Sequence, residues 1–438
     1  MQTIKFDVCK DFGKFKVLNA TNGGPLFSRR MYAQNNINLE YYKALKIPYQ
    51  RNHDANFFPV YGGPYAHDIS AIFPRFELDE TNPENYDFTC TDEAIFCSLL
   101  AGTKTFFRLG QSIEHQIKKH HTLPPKDFHK WARIAEHIIR HYTEGWADGF
   151  KHDILYWEIW NEPETVGDDA PESATWGGTT LEFYDFYEVV AKHLKKCFPN
   201  LKIGGPAVSH SVDWTDGFLR EMQKREVPID FFSWHLYACE PTKFTEKSHR
   251  YKVLLDKYGY GNAESILNEW NYIRCWFGEE YQYSINAIHG IKGASYVLGA
   301  MCESQKTPDI DMLMYYSTMP HTWNGVFDFY TKKPLKTYYV FKWVGEMCEL
   351  CKEIREENKV DDIYTLCGAD KDGKISCIVN HFSDNDDKAN EQVKIEFNKN
   401  ANYDIYLLDK DNDATFVKTT SELVFDMPVH SCIYIKER

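Results

Sequence analysis

The feature that most restricts this chain is an alternation. Eight short apolar runs, "LKIPYQRNHD" (45–54), "AIFPRFEL" (71–78), "KTFFRLG" (104–110), "ILYWEIWNEP" (154–163), "LKIGGPA" (201–207), "IDFFSWHLY" (229–237), "ESILNEW" (264–270) and "DMLMYYS" (311–317), read as buried strands. Longer amphipathic stretches lie between them, among them "TDEAIFCSLLAG", "PKDFHKWARIAEHIIRHYTEG", "TLEFYDFYEVVAKHLKKCF" and "FTEKSHRYKVLLDKYG". Asp or Thr at several starts and Gly102, Gly145 and Gly259 past the ends match helix start and stop chemistry. Strand then helix, repeated around the chain, implies a parallel sheet covered by helices. Its natural closed form is an α/β fold, the (β/α)8 TIM barrel of about 250 residues or more.

After about residue 352 the texture changes to short alternating runs such as "DIYTLCGAD", "KISCIVNHF", "QVKIEF", "NYDIYLLD" and "CIYIK", separated by Asp, Asn, Lys and Gly. These read as an accessory β-sandwich. The opening "TIKFDV" and "KFKVL" share the alternation and are expected to join it. The expected division is therefore a barrel over 30–350 and a sandwich from 1–29 plus 351–438, which 438 residues accommodate. No repeat of fixed period occurs, so a solenoid is excluded.

Charge and composition narrow the partners. The formal net charge is −14 with no block of Lys and Arg, so there is no nucleic-acid footprint. Asp7, Lys10 and Asp11 interrupt the start where a signal peptide would be apolar, and no apolar run of about 18 residues suggests a membrane span. A cytoplasmic protein is expected, or a periplasmic or secreted one if a leader has been removed. Twelve cysteines are scattered from Cys9 to Cys432. Their only CxxC, "CELC" at 348–351, stands late in a helical pattern without a second pair, so buried reduced thiols are expected rather than a disulfide or zinc framework. Aromatic residues make up 16% of the chain, enough to build a core and still leave rings for stacking on sugar faces.

Barrel enzymes carry their chemistry at the C-terminal strand ends, so the polar residues ending these runs are the candidates. They are Arg51, His53 and Asp54; Arg108; Asn161 and Glu162; His235 and Tyr237; Glu269; and Tyr315 and Tyr316. Glu162 and Glu269 stand 107 residues apart in the chain but across one barrel mouth, as two acids flanking a glycosidic bond would. Such a pair can divide acid and base work when its surroundings push the two pKa values apart. Pro163, with its fixed φ, stiffens the turn that holds Glu162.

The other acids divide by position. Glu158 shares strand parity with Glu162 and points deeper into the barrel, where Arg51 or Arg108 is expected to neutralise it. Glu164 and Asp153 flank the strand and are expected to be solvated or at most substrate-adjacent. His137 and His141 have zinc-compatible i,i+4 spacing, but no third ligand accompanies them, so a packed or exposed pair is expected.

"RNHD", "WEIWNEPE", "DFFSWHLY" and "ILNEW", in that order along the chain, together with "KWARIAEHIIRHY" and "LKIGGPA", resemble glycoside hydrolase family 39, which includes β-xylosidases and α-L-iduronidases. The resemblance runs over roughly residues 30 to 350. It implies a retaining exo-acting glycosidase, β-xylosidase-like, with Glu162 as general acid/base and Glu269 as nucleophile. By the same resemblance Asn161 hydrogen-bonds the sugar 2-hydroxyl, Tyr237 holds the Glu269 carboxylate, and His53 and His235 line the glycone pocket. No metal or cofactor is implied, and the partner is an oligosaccharide or glycan. Strand eight departs from the family pattern: in "MLMYYSTMPHTWNGVFDFYTKKP", Tyr316 stands where Trp is expected and Pro320 where an acid is expected. Trp323, Asn324 and Trp276 are expected to rebuild that wall, Tyr316 and Trp323 to contact the substrate, and Arg274 is the candidate cation for a uronate. A glycosidase for another glycone (arabinoside, galactoside or iduronide), or a carbohydrate-binding or weakly active homologue on the same scaffold, stays open beside the β-xylosidase.

Overall fold

The computed structural model describes residues 1–26, 38–53, 67–114, 116–164 and 175–438. Strand β1 (Gln2–Phe6) precedes a closed barrel of eight parallel strands: β2 (Val17–Asn22), β3 (Tyr49–Arg51), β4 (Lys104–Leu109), β5 (Tyr156–Ile159), β6 (Lys202–Val208), β7 (Phe231–Ala238), β8 (Glu264–Tyr272) and β9 (Met312–Tyr315). Each strand pairs in parallel with the next, and β9 closes on β2. The expected TIM barrel is therefore present.

Side-chain parity organises it. Phe107, Leu109, Trp157 and Ile159 point outward and pack with helix residues such as Trp131, Ile138 and Phe186 in the main core. Their sequence neighbours point inward, and at the N-terminal end Ala20, Phe106, Tyr156, Phe231, Ile266, Met312 and Met314 plug the barrel with an apolar layer. Above that plug the inward residues turn polar.

Strand β8 carries an irregularity that matters. Leu267 pairs with Trp234, but Glu269 pairs with His235, so Asn268 is an extra residue against β7. A bulge of this kind breaks strict alternation. Asn268 and Glu269, adjacent in sequence, consequently both reach the polar interior: Asn268 donates to Glu158, and Glu269 meets Arg51.

The barrel departs from the sequence expectation at its first strand and its starting point. The run at 71–78 is not a strand; Ile69–Ile72 forms a short helix, followed by turns. Ile69, Ile72 and Phe73 are buried, which explains the apolar signal, but Pro74 has no N–H for a ladder. The missing barrel strand is β2, to which "KFKVL" leads rather than to the sandwich. The barrel thus begins at Val17 instead of near residue 30. Its signature was masked because Asn19, Thr21 and Asn22 are buried yet polar, satisfied by partners such as Leu45 O for Asn19 and Tyr315 O for Thr21.

The helices follow the periodic stretches: Thr89–Leu100, Phe128–Thr143, Thr180–Cys197, Val212–Lys224, Thr242–Lys257 and Lys336–Cys348. Thr179 and Glu182 close a reciprocal capping box on the third of these. The stretch after β8 splits into Gly278–Ile288 and Ile291–Lys306, with Gly290 capping the second in an extended conformation. Among the described residues no helix is long and apolar enough to cross a membrane.

The remaining strands are β10 (Lys352–Ile354), β11 (Ile363–Ala369), β12 (Ile375–His381), β13 (Glu391–Phe397), β14 (Tyr403–Leu408), β15 (Thr415–Thr420), β16 (Val424–Met427) and β17 (Ser431–Glu437). They form a six-stranded sheet, β10-β11-β12-β17-β14-β15, and a three-stranded sheet, β1-β13-β16. Cys367, Val379, Ile433 and Ile435 face the smaller sheet in a second core, while Leu366, Ile378, Cys432 and Tyr434 join the barrel's core. The larger sheet is therefore apolar on both faces, one of them resting on the barrel's helices. All twelve cysteines are free thiols.

Candidate active site

At the end of β5 the chain makes a tight left-handed excursion, with φ +72° at Trp160 and +45° at Glu162. Such conformations are costly for non-glycine residues and need surrounding support. Support comes from both neighbouring strands: Trp160 N donates to Leu109 O at 2.8 Å, and Glu162 N to Ala207 O at 3.1 Å. The turn thereby carries Glu162 onto the C-terminal mouth.

Beneath the mouth Arg51 is the hub. Its Nε donates to Glu158 Oε2 (2.7 Å), Nη1 to Asn22 Oδ1 (3.2 Å) and Glu269 Oε2 (3.3 Å), and Nη2 to Asn161 Oδ1 (2.6 Å). Glu158 is wholly buried and also accepts from Ser233 Oγ at 2.6 Å and from Asn268 Nδ2. Arg51, not Arg108, neutralises it; Arg108 instead pairs with Asp68 at 3.1 Å and donates to His53 O at 2.8 Å.

Above the hub two carboxyls converge. Glu269 Oε1 accepts from the Tyr237 hydroxyl at 2.6 Å, and its side chain is only 8% exposed. Glu162 Oε1 lies 2.7 Å from His235 Nδ1, and 22% of its side chain reaches solvent. An oxygen of each glutamate and a ring nitrogen of His235 all lie within 4.8 Å of one another. Burial and the neighbouring Glu164 carboxylate push Glu162 up to about 7, against the pull of Arg51, His210 and Lys247. Burial also raises Glu269; Glu162 adds to this, while His235, Arg51 and Tyr237 oppose it. Burial pushes His235 down to about 4, so its ring is neutral near pH 7.

Three ligand-type side chains in this arrangement could also face a cation, but the Arg51 guanidinium already brings positive charge to Glu269. A second such group, Glu136, His193 and Cys197, lies between two outer helices, where Glu136 is engaged by Arg140 and His193.

A cavity of about 590 Å³ opens over the two glutamates, lined also by His235, Tyr237, Trp276, Trp323, Lys247 and His210. Its aromatic side is a chain of ring contacts: Tyr237 to Trp276 at 4.9 Å, Trp276 to Trp323 at 5.4 Å, and Trp323 to Tyr316 at 5.7 Å. Trp323 is oriented by donating Nε1 to the Tyr281 hydroxyl at 3.0 Å. Tyr316 extends this chain toward His53, with ring centroids 6.5 Å apart. Asn161 joins the site through Arg51, and its amide Nδ2 is buried without a protein partner.

Other sequence expectations meet different outcomes. Glu164 is not solvated: its side chain is fully buried and accepts from the backbone of the loop after β6. Asp153 is exposed and pairs with Lys104. Asn324 does not face the cavity wall; its Oδ1 accepts from Val326 N at 2.9 Å, and its Nδ2 donates to Phe327 O, fixing its own turn. Arg274 is committed to the sandwich, donating Nε to Asp384 Oδ2 at 2.8 Å and Nη2 to Asp384 O at 2.6 Å. It is therefore no cation for a uronate. His137 and His141 pack against Trp146 and Phe88 respectively. Asp54 falls outside the described residues. Sequence reasoning gave no role to Ser233, Asn268 or Lys247: the first two stand inside "DFFSWHLY" and "ILNEW" but meet Glu158 from other strands, and Lys247 lies in no motif.

The profile of Glycosyl hydrolases family 39 matches residues 28–267, more than half of the chain. A β-xylosidase of Geobacillus stearothermophilus is 27% identical over 249 residues, covering 54% of this chain and 46% of its own length. A β-xylosidase of Caldicellulosiruptor saccharolyticus is 31% identical over 149 residues, covering 33% of this chain and 26% of its own length. The matched region thus spans less than half the length of either relative. The fold agrees with a solved glucosidase structure from Croceicoccus marinus, with TM-score 0.79, 19% identity, and coverage of 100% of this chain and 99% of the other. A parallel barrel, two facing carboxyls at its mouth and this profile match lead to one conclusion: the chain belongs to glycosyl hydrolase family 39.

Proposed function

We propose that the protein is a retaining, exo-acting glycoside hydrolase of β-xylosidase type, with Glu162 as acid/base and Glu269 as nucleophile. The carrying observation is the approach of the two carboxyls, whose nearest oxygens lie within 4.8 Å of each other. That closeness fits the roughly 5–5.5 Å carboxyl spacing of retaining enzymes better than the roughly 6.5–9.5 Å that leaves room for an inverting water. The two relatives, both β-xylosidases, support xylose as the first glycone to test.

The surroundings divide the roles. Glu269 faces the Tyr237 hydroxyl and the Arg51 guanidinium, both of which favour an anion ready to attack the anomeric carbon. Glu162, held up to about 7, keeps a proton to donate to the departing glycosidic oxygen. In the second step Glu162, now ionised, takes a proton from water as that water attacks the glycosyl–Glu269 ester. The anomeric carbon is inverted twice, and its configuration is retained. Asn161, whose unpartnered amide nitrogen is buried beside this site, is suited to hold the sugar 2-hydroxyl. Tyr237, Trp276 and Trp323 offer ring faces to the sugar or its aglycone.

Glu162→Ala should hydrolyse an activated aryl β-xyloside slowly and recover with azide, yielding a β-azide. A 2-fluoro-xylosyl probe should label Glu269. Labelling at another residue, or an inverted product anomer, would sink the assignment. Specific glycan binding without turnover across a panel of aryl glycosides would favour a binding protein instead.

A further inference from the structure

Glu164, two residues beyond the acid/base in sequence, is buried among donors. Its Oε1 accepts from Ser209 N at 2.7 Å, His210 N at 3.0 Å and Ser211 N at 3.3 Å, and its Oε2 accepts from Ser209 Oγ at 3.2 Å. These contacts fasten the Glu164 carboxyl to the loop after β6. Lys247, on the helix Thr242–Lys257, donates to Ser209 O at 2.7 Å and to His235 O at 2.8 Å. It therefore ties the residue whose N–H holds Glu164 to the residue whose ring meets Glu162. Lys247 also lines the cavity over the two glutamates.

We propose that Glu164 and Lys247 are a positioning pair of opposite charge that sets the pH at which Glu162 gives up its proton. This rests on the acid/base reading of Glu162 and adds the groups that tune it. The charged and titratable groups facing Glu162 come from every neighbouring element: Arg51 on β3, His235 and Tyr237 on β7, Glu269 on β8, His210 in the loop after β6, and Lys247. Glu164 itself faces Lys247, His210 and Tyr251. Within this set Arg51 serves Glu158 and Glu269 as well, whereas Glu164 pushes the Glu162 proton affinity up and Lys247 draws it down. Glu164 and Glu162 in turn hold up the charge of Lys247, which burial lowers to about 8.

The test is the alkaline limb of kcat/KM against pH, measured on phenyl and 2,4-dinitrophenyl β-xylosides or the same pair with whichever glycone is turned over. Glu164→Gln removes a neighbouring anion and should move the limb to lower pH by about half a unit to one unit. Lys247→Met removes a cation and should move it to higher pH, while Lys247→Arg should restore the wild-type position. The shifts should show on the phenyl glycoside, whose poor leaving group needs the acid, and fade on the dinitrophenyl one. A purely structural role would lower activity without moving the limb in opposite directions. Limbs that stay put, or move the same way in both variants, would overturn the proposal. If Glu164→Gln does not fold, Lys247→Met against Lys247→Arg decides alone, and an unmoved limb in Lys247→Met overturns it. Azide rescue of Glu162→Ala separates the two levels: rescue with unmoved limbs defeats only this inference, whereas absence of rescue defeats the acid/base reading beneath it.

Discussion

Two polar layers lie one above the other in this barrel, and they treat carboxylates oppositely. In the lower layer Glu158 is sealed from solvent, with a guanidinium on one oxygen and two neutral donors on the other. In the upper layer Glu162 keeps an open side and shares its neighbourhood with Glu164 and Glu269. A carboxyl whose two oxygens are both engaged by donors serves structure. One set among other carboxylates, with burial on top, holds its proton more tightly and can hand it over. Four residues along one stretch of chain thus separate a carboxyl locked in a buried hydrogen-bond network from one with an open side. Arg51 links the two layers, since one guanidinium touches Glu158, Glu269 and Asn161.

That contrast can be broken from above or below. The largest effect is expected from Glu269→Gln, which should lower kcat by at least ~10⁴-fold while leaving the unfolding midpoint nearly in place. Glu162→Gln should cost about 10²–10⁴-fold on phenyl glycosides and much less on dinitrophenyl ones, as measured by initial rates. In the lower layer, Arg51→Met strands Glu158 as a buried unpaired charge and should cost about 3–5 kcal/mol in urea unfolding. Adding Glu158→Gln should return part of that loss, and a cost below about 1 kcal/mol for Arg51→Met would erase the distinction between the layers.

The smallest effect concerns pH. Because the folded pKa of Glu162 is raised to about 7, its protonation stabilises the folded state. That contribution is fully present below the unfolded value of about 4.3 and is lost as pH rises through about 7. Glu162→Gln should therefore be more stable than the wild type at pH 8, by on the order of 1–3 kcal/mol, with the difference vanishing near pH 4. An equal gap at both pH values would mean that the upper layer does not hold the proton as described.

Much of the fold and part of the candidate site were legible in the sequence. Seven of the eight runs named above contribute barrel strands, because parallel barrel strands are apolar on the face that meets the helices. Glu162 was findable as the acid ending such a run, and parity singled out Glu158 for an arginine partner. The first strand was not legible, since Asn19, Thr21 and Asn22 spend their buried positions on hydrogen bonds rather than apolar contact. Glu164 looked like a surface acid because its donors are backbone amides more than forty residues further on, at Ser209, His210 and Ser211. Strict alternation also could not foresee that Asn268 and Glu269 both reach the polar interior, which depends on a bulge against β7.

The sequence by itself determined seven of the eight barrel strands and the main helices, because hydrophobic period and capping chemistry act locally. It also determined which two glutamates were candidates to face each other. Tertiary structure alone decided what each carboxylate became. What a carboxyl does depends on burial and on the charges and donors the fold sets around it: Arg51 meets Glu158, Tyr237 meets Glu269, and Glu164 and Lys247 act on Glu162.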